Sequence, residues 1–209
     1  MFADCNSLSL FYGSMAKLVD GDFMFNNCKK LDTFYGKMSS LVNGYNMFGS
    51  CEALSYFYSY LPSLKDGRSM FYKCSALTTF YTNLPSITDG SEMFFGCSNY
   101  NGPVQYEQDD FSKLESANSM FYECSSLTSF NYKTSHLTSA TNMFFGCSSL
   151  EEVGNEQLVG TGITATRSDF SKVKNGFGMF KNCYNLKFFY SDLSSLTEAG
   201  EMFTGCYEL

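Results

Sequence analysis

The stretch MFGSCEALSYFYSYLPSLKDGRS, residues 47–69, is one copy of a unit that recurs along the chain. Its Met-Phe pair returns nine times, at Met1, Met24, Met47, Met70, Met93, Met120, Met143, Met179 and Met202, with intervals of 23, 23, 23, 23, 27, 23, 36 and 23 residues. Four residues after each of these stands a cysteine, from Cys5 to Cys206, which accounts for all 9 cysteines of the chain. Seven residues after each stands a leucine, except for Tyr100. A branched aliphatic lies six residues before the Met from the second copy onward, as at Leu18, Leu41, Leu64 and Ile87, and a small residue three before, as at Gly21, Gly44, Gly67 and Ala117. A fixed period of this length is the mark of a repeat architecture.

A unit of 23 residues with an apolar residue every three or so positions cannot bury itself. It must stack on copies of itself, which makes a solenoid. Leu-x-x-Phe-Tyr is short, aromatic and followed by turn residues, so it reads as a β-strand. Copies are expected to stack in parallel at ~4.8 Å. The x-x-Met-Phe-x-x-Cys stretch has apolar spacings of one, three and four, which predict one or two short helical turns on the opposite side. Met, Phe, Cys, Leu and strand Phe then form inward ladders. The small residue before the Met allows close packing or an unusual backbone angle.

This Met-Phe-x-x-Cys-x-x-Leu unit resembles the BspA-like class of leucine-rich repeats, over the whole chain apart from two insertions. The resemblance implies a leucine-rich-repeat solenoid, with parallel strands on one face and short helical turns on the other; since both ends fall within the repeat, no caps are expected. It also implies a role in surface adhesion or contact with a host or partner, on a cell surface or a virion. One departure stands out. The class usually has an Ile-Pro step after the strand and an Ile before the Gly, whereas here Phe57-Tyr58 and Phe80-Tyr81 replace the former and Asp66 and Asp89 the latter.

The chain has 209 residues, with 44% hydrophobic and 18% aromatic, enough burial to offset ordering entropy. Lys and Arg number 14 against 21 Asp and Glu, a net charge of -7. No basic excess exists to neutralise phosphates, so nucleic acid is not an expected partner. No apolar run approaches the ~20 residues of a membrane span, so no membrane insertion is expected. Residues 1–209 read as a single solenoid domain. Both ends fall within the repeat, at the Met and Leu positions, so the expectation is a fragment of a longer array whose targeting segment lies elsewhere. Two units are longer than the rest, with insertions near 101–110 and 151–169 that fall between the repeat Leu and the next inward position, Phe111 or Phe170. They are expected on one side of the solenoid, ~10 Å apart by strand spacing.

Nine cysteines on one register read as small buried hydrophobes: the count is odd, and no Cys-x-x-Cys exists. The Met and Phe ladders read as core. His136, the one histidine, lies in the regular repeat between the insertions and reads as a surface residue. Acidic residues crowd the insertions at Glu107, Asp109, Asp110, Glu151, Glu152, Glu156 and Asp169, without the spaced Asp loop of a calcium site. No nucleophile, base or cofactor loop presents itself, so no enzyme and no cofactor is expected. The strand is more informative. With Leu and Phe inward, two-residue alternation turns Tyr12, Tyr35, Tyr58, Tyr81 and Tyr190 outward, with Tyr56 beside them and Tyr60 extending the face. Such a column is either a contact surface or a ladder that stabilises the sheet. The leading expectation is a non-enzymatic recognition module that binds a protein or glycan on a host or neighbouring cell. Those tyrosines would do so together with Glu107, Asp109, Asp110, Glu151 and Glu152. The rival is a structural spacer that self-associates end to end.

Overall fold

The computed structural model of the chain describes residues 1–102, 111–154 and 168–209. Among the described residues seven short strands form, all where the Leu-x-x-Phe-Tyr stretch or its equivalent falls. They are β1 (Leu10–Ser14), β2 (Thr33–Lys37), β3 (Tyr56–Tyr60), β4 (Thr79–Tyr81), β5 (Ser129–Phe130), β6 (Glu152–Val153) and β7 (Phe188–Phe189). Strands β1 to β4 pair in chain order in one parallel sheet, and β5 to β7 in another. Register follows the repeat, with Phe11 opposite Phe34, Phe34 opposite Phe57, and Phe57 opposite Phe80. A second parallel ladder of single bridges runs through Asp20, Asn43, Asp66, Asp89, Ser116, Ser139, Asn175 and Glu198. It crosses both insertions without a break. The chain is therefore a parallel β-solenoid, as the repeat predicts.

One apolar cluster fills the interior from Met24 to Met202. The Phe of each Met-Phe pair stacks on its counterpart one coil away. From Phe25 through Phe48, Phe71, Phe94, Phe121, Phe144, Phe180 and Phe203 the ring centroids are 5.2–5.6 Å apart and the planes lie within 7°. The strand phenylalanines form a second ladder that meets the first edge-on, as in the Phe34–Phe48 pair at 4.7 Å and 72°. Offset stacking along each ladder and edge contacts between them are the two arrangements that ring quadrupoles favour. Phe111 and Phe170, the first inward positions after the insertions, are buried.

The cysteines do more than fill space. Each Sγ from Cys28 to Cys206 lies 2.9–3.1 Å from the carbonyl oxygen of the Met-Phe phenylalanine in the preceding coil, to which it donates. Seven of the nine thiols are buried and all nine are free. The thiol thus satisfies a second lone pair of a buried carbonyl while packing as an apolar group. This accounts for a cysteine in every copy.

The expected short helical turns do not form; among the described residues there is no helix. The Met-Phe stretch is a run of tight turns instead. Amide groups alternate in use: Met24 and Asn26 donate within their own turn to Gly21 and Phe23, while Phe25 and Asn27 donate across to Met47 and Gly49 of the next coil. A helix would spend every amide on its own turns. The backbone also takes positive φ just before the Met and three residues after it, as at Asn46 (51°) and Ser50 (61°), Ser69 and Lys73, and Ser119 and Glu123. A left-handed residue at the third position of a four-residue turn defines the type II geometry and stops a right-handed helix. Apolar spacings of three and four suit such turns as well as a helix, which is why spacing misled.

The small residue before each Met answers to close packing. Gly21 has no positive φ, and a Cβ there would lie 2.9 Å from Met47 Sδ and 3.1 Å from Leu41 Cδ1 of the next coil.

Candidate functional site

Strands β1 to β3 expose every second side chain, in the order outward, buried, outward that alternation predicts. Tyr12, Tyr35, Tyr58 and Tyr81 occupy one outward register. Their rings stack along the solenoid axis at 5.7, 4.4 and 5.2 Å, with the Tyr35–Tyr58 planes 8° apart. Tyr35 and Tyr58 are still 44% and 41% exposed. Their faces cover one another, so what reaches solvent is ring edges and the phenol ends. The column is thus a stacking ladder whose Tyr12, Tyr35 and Tyr58 remain exposed.

Beside the ladder runs a trench. One part, of 430 Å³, is lined by Tyr12, Tyr35 and Tyr58 on one side and by Ser14, Lys37 and Tyr60 on the other, over a floor at Gly13, Gly36 and Ser59. A further 250 Å³ continues past Tyr58, Ser59 and Tyr60 to Tyr81, Thr82 and Asn83. The floor is low because Gly occupies the inward position in the first two rungs. A Cβ on Gly36 would lie 2.4 Å from the Phe34 ring. Lys37 is the one charged residue among those lining both parts. Tyr60 is 56% exposed and Tyr56 53%. They stand on opposite sides of the ladder, at the two ends of β3.

The remaining expected residues are not part of this surface. Tyr190 has the same register position but follows β7 in the second sheet, where its ring stacks 6.1 Å from Phe188. Glu152 lies in β6 between Ser129 and Phe188, and Glu151 precedes it, with a carboxylate oxygen 3.7 Å from Lys187 Nζ. These three form a separate, mixed patch. Glu107, Asp109, Asp110 and Glu156 lie outside the described residues, as does most of each insertion. His136 is exposed, and its Nδ1 donates to the Ser112 carbonyl at 2.5 Å. Burial pushes the Cys51 thiol up to about 12, and the Cys74, Cys97, Cys124, Cys147 and Cys183 thiols upward as well. Such thiols are poor nucleophiles at neutral pH.

A second aromatic ladder was not anticipated. Tyr72, Phe95, Tyr122 and Phe145 stack at 4.9, 4.5 and 4.5 Å along the turn face. Lys73 Nζ lies 5.2 Å from the Tyr72 ring centroid, and Lys181 Nζ lies 5.8 Å from that of Phe145. Burial pushes the Tyr122 phenol up, and Glu123 adds to the shift. Its signal was present in the sequence: four successive Met-Phe pairs are followed by Tyr or Phe.

A stack of parallel rungs with side-chain ladders at a 23-residue period defines a β-solenoid repeat protein. The chain belongs to the family described as "Mycoplasma protein of unknown function, DUF285", which matches residues 61–157 and 131–209. Comparison with curated proteins finds no match. Among solved structures the chain is similar to a leucine-rich repeat protein of T. pallidum, at 19% identity and a TM-score of 0.44, over 97% of this chain and 78% of that one. It is also similar to a leucine-rich repeat protein from Bacteroides ovatus ATCC 8483, at 18% identity and a TM-score of 0.36, over 100% of this chain and 67% of that one.

Proposed function

We propose that the chain is a non-enzymatic recognition module that binds a partner through the outward face of β1 to β4. On this reading it is part of a surface or virion protein with BspA-like repeats, and its role is adhesion to a protein or glycan of a host or neighbouring cell. One observation carries it: four tyrosines in unbroken register, three exposed and Tyr81 half-buried, beside a trench that spans all four strands. Aromatic surface held rigidly on a sheet gives large contact area at low entropic cost. A sheet needs no such wall and trench to be stable, since cross-strand Thr or Val pairs serve as well.

The test is binding of the purified chain to immobilised extracellular proteins and glycans, with a Tyr35→Ser/Tyr58→Ser double variant beside the wild type. Binding is expected and should weaken by at least about tenfold in the variant, which corresponds to ~1.4 kcal/mol. A chain that binds nothing on the panel but assembles end to end with rising concentration in sedimentation would point to the spacer role instead.

A further inference from the structure

We infer that the occupant of the trench is a neutral oligosaccharide, laid along the solenoid axis across β1 to β4. The inference rests on the recognition reading and names its ligand class.

Chemistry of the lining comes first. Tyr12, Tyr35, Tyr58 and Tyr81 form one wall, Ser14, Lys37, Tyr60 and Asn83 the other. Most of these side chains end in a hydroxyl, and Asn83 in an amide. Hydroxyls and amides both donate and accept, as do the hydroxyls of a sugar. No carboxylate lines the trench, although the whole chain carries -7. A basic peptide therefore finds no counter-charge, and an acidic polymer finds a single lysine. Nor is there an aliphatic pocket for a Leu or Val side chain, since the apolar surface is all tyrosine ring.

Geometry also disfavours a polypeptide. An extended peptide docks on a sheet by pairing its backbone with an open strand edge. The trench instead crosses strands whose backbone groups are already paired with their neighbours. A peptide there could not extend the ladder of the sheet, which is the usual way its backbone is matched. A sugar chain has no such requirement. Its units are about as long as the ~4.8 Å strand spacing, so successive rungs meet successive sugars.

A third observation marks the far end of the trench. Ser59 Oγ, Thr82 Oγ1 and Asn83 Oδ1 are three of the four buried side-chain oxygens that have no hydrogen-bond partner among the described residues. All three belong to the trench lining, and Ser59 is only 6% exposed. Buried polar groups are normally paired, and the exceptions call for an explanation. The terminal torsion of Asn is broad, so a modest rotation of the Asn83 amide brings it to a sugar hydroxyl. Tyr60 stands next to it with no ring partner among the described residues. Its face is thus free for the apolar side of a pyranose, whereas the faces of Tyr35 and Tyr58 are taken.

The experiment is calorimetric titration of the full chain with cellotetraose, chitotetraose and mannotetraose. At least one is expected to bind. Tyr60→Ala and Asn83→Ala should each weaken it at least tenfold, with melting temperatures near that of the wild type. Tyr72→Ser, on the turn face away from the trench, should change it less than twofold. If no tetrasaccharide binds at millimolar concentration, or if binding survives both Tyr60→Ala and Asn83→Ala, the sugar assignment falls. Sugars that fail beside a protein partner lost on Tyr35→Ser/Tyr58→Ser would overturn the ligand class and leave the recognition reading standing. Failure of both would remove the two together.

Discussion

Replacing Phe57 or its neighbour Tyr58 tests which way the strands face. Phe57 is fully buried. It stacks on Phe34 at 5.3 Å and Phe80 at 5.5 Å, and meets Phe48 and Phe71 edge-on at 5.3 and 4.7 Å. Phe57→Ala removes a whole ring from a packed interior, at a cost of about 3–5 kcal/mol. Tyr58 has two ring partners, Tyr35 and Tyr81, and is 41% exposed. Two half-exposed cross-strand pairs contribute ~0.2–1 kcal/mol each, so Tyr58→Ser should cost roughly 0.4–2 kcal/mol. For a chain of this size 1 kcal/mol shifts the melting temperature by about 2–4 °C. The expected drops are then roughly 6–20 °C for Phe57→Ala and 1–8 °C for Tyr58→Ser. Thermal and urea melts followed by circular dichroism would measure both. Solenoids unfold through nearest-neighbour coupling, so the slope of the urea transition should be checked along with its midpoint. Equal losses in the two variants would refute the face assignment and with it the exposed ladder.

The turn geometry makes a prediction opposite to that of a helix. Glu123 has a φ of 56°, and the equivalent positions in neighbouring coils are Gly96 and Gly146. Glu123→Gly should therefore be neutral or stabilising by up to about 1 kcal/mol in a urea melt, whereas in a helix it would cost about that much. The thiols give a second test. Mapping iodoacetamide-labelled peptides from folded protein should show Cys5 and Cys206 reacting first and the seven buried cysteines far more slowly; uniform labelling would contradict the ladder. Linkage fixes the alkaline side. Burial raises the Cys51 pKa to about 12, so below the ordinary thiol value both states are protonated and this contribution is complete. As pH rises from there towards about 12 the unfolded chain loses a proton that the folded chain keeps, and stability should fall. Cys51→Ala should make that fall shallower.

Much of the molecule is legible in its sequence because a solenoid turns sequence period into spatial neighbourhood. A residue's main contacts are its own counterparts one coil away. Hence the 23-residue spacing alone placed Phe34 beside Phe57 and Tyr35 beside Tyr58, and gave the seven interior cysteines the same surroundings. Alternation within Leu-x-x-Phe-Tyr was enough to assign the faces. Tertiary structure decided the rest. Backbone dihedrals are not written in apolar spacing, so the left-handed residues at Asn46 and Ser50 and the turns they build came only with the fold. The bond from each thiol after Cys5 to a phenylalanine carbonyl depends on the axial offset of adjacent coils, which composition does not encode. The trench depends on Gly36 and its equivalents lowering one register between two rows of side chains. Tyr190 shares the Tyr58 position in the repeat yet belongs to another sheet, because a period specifies a rung and not which rungs join one sheet.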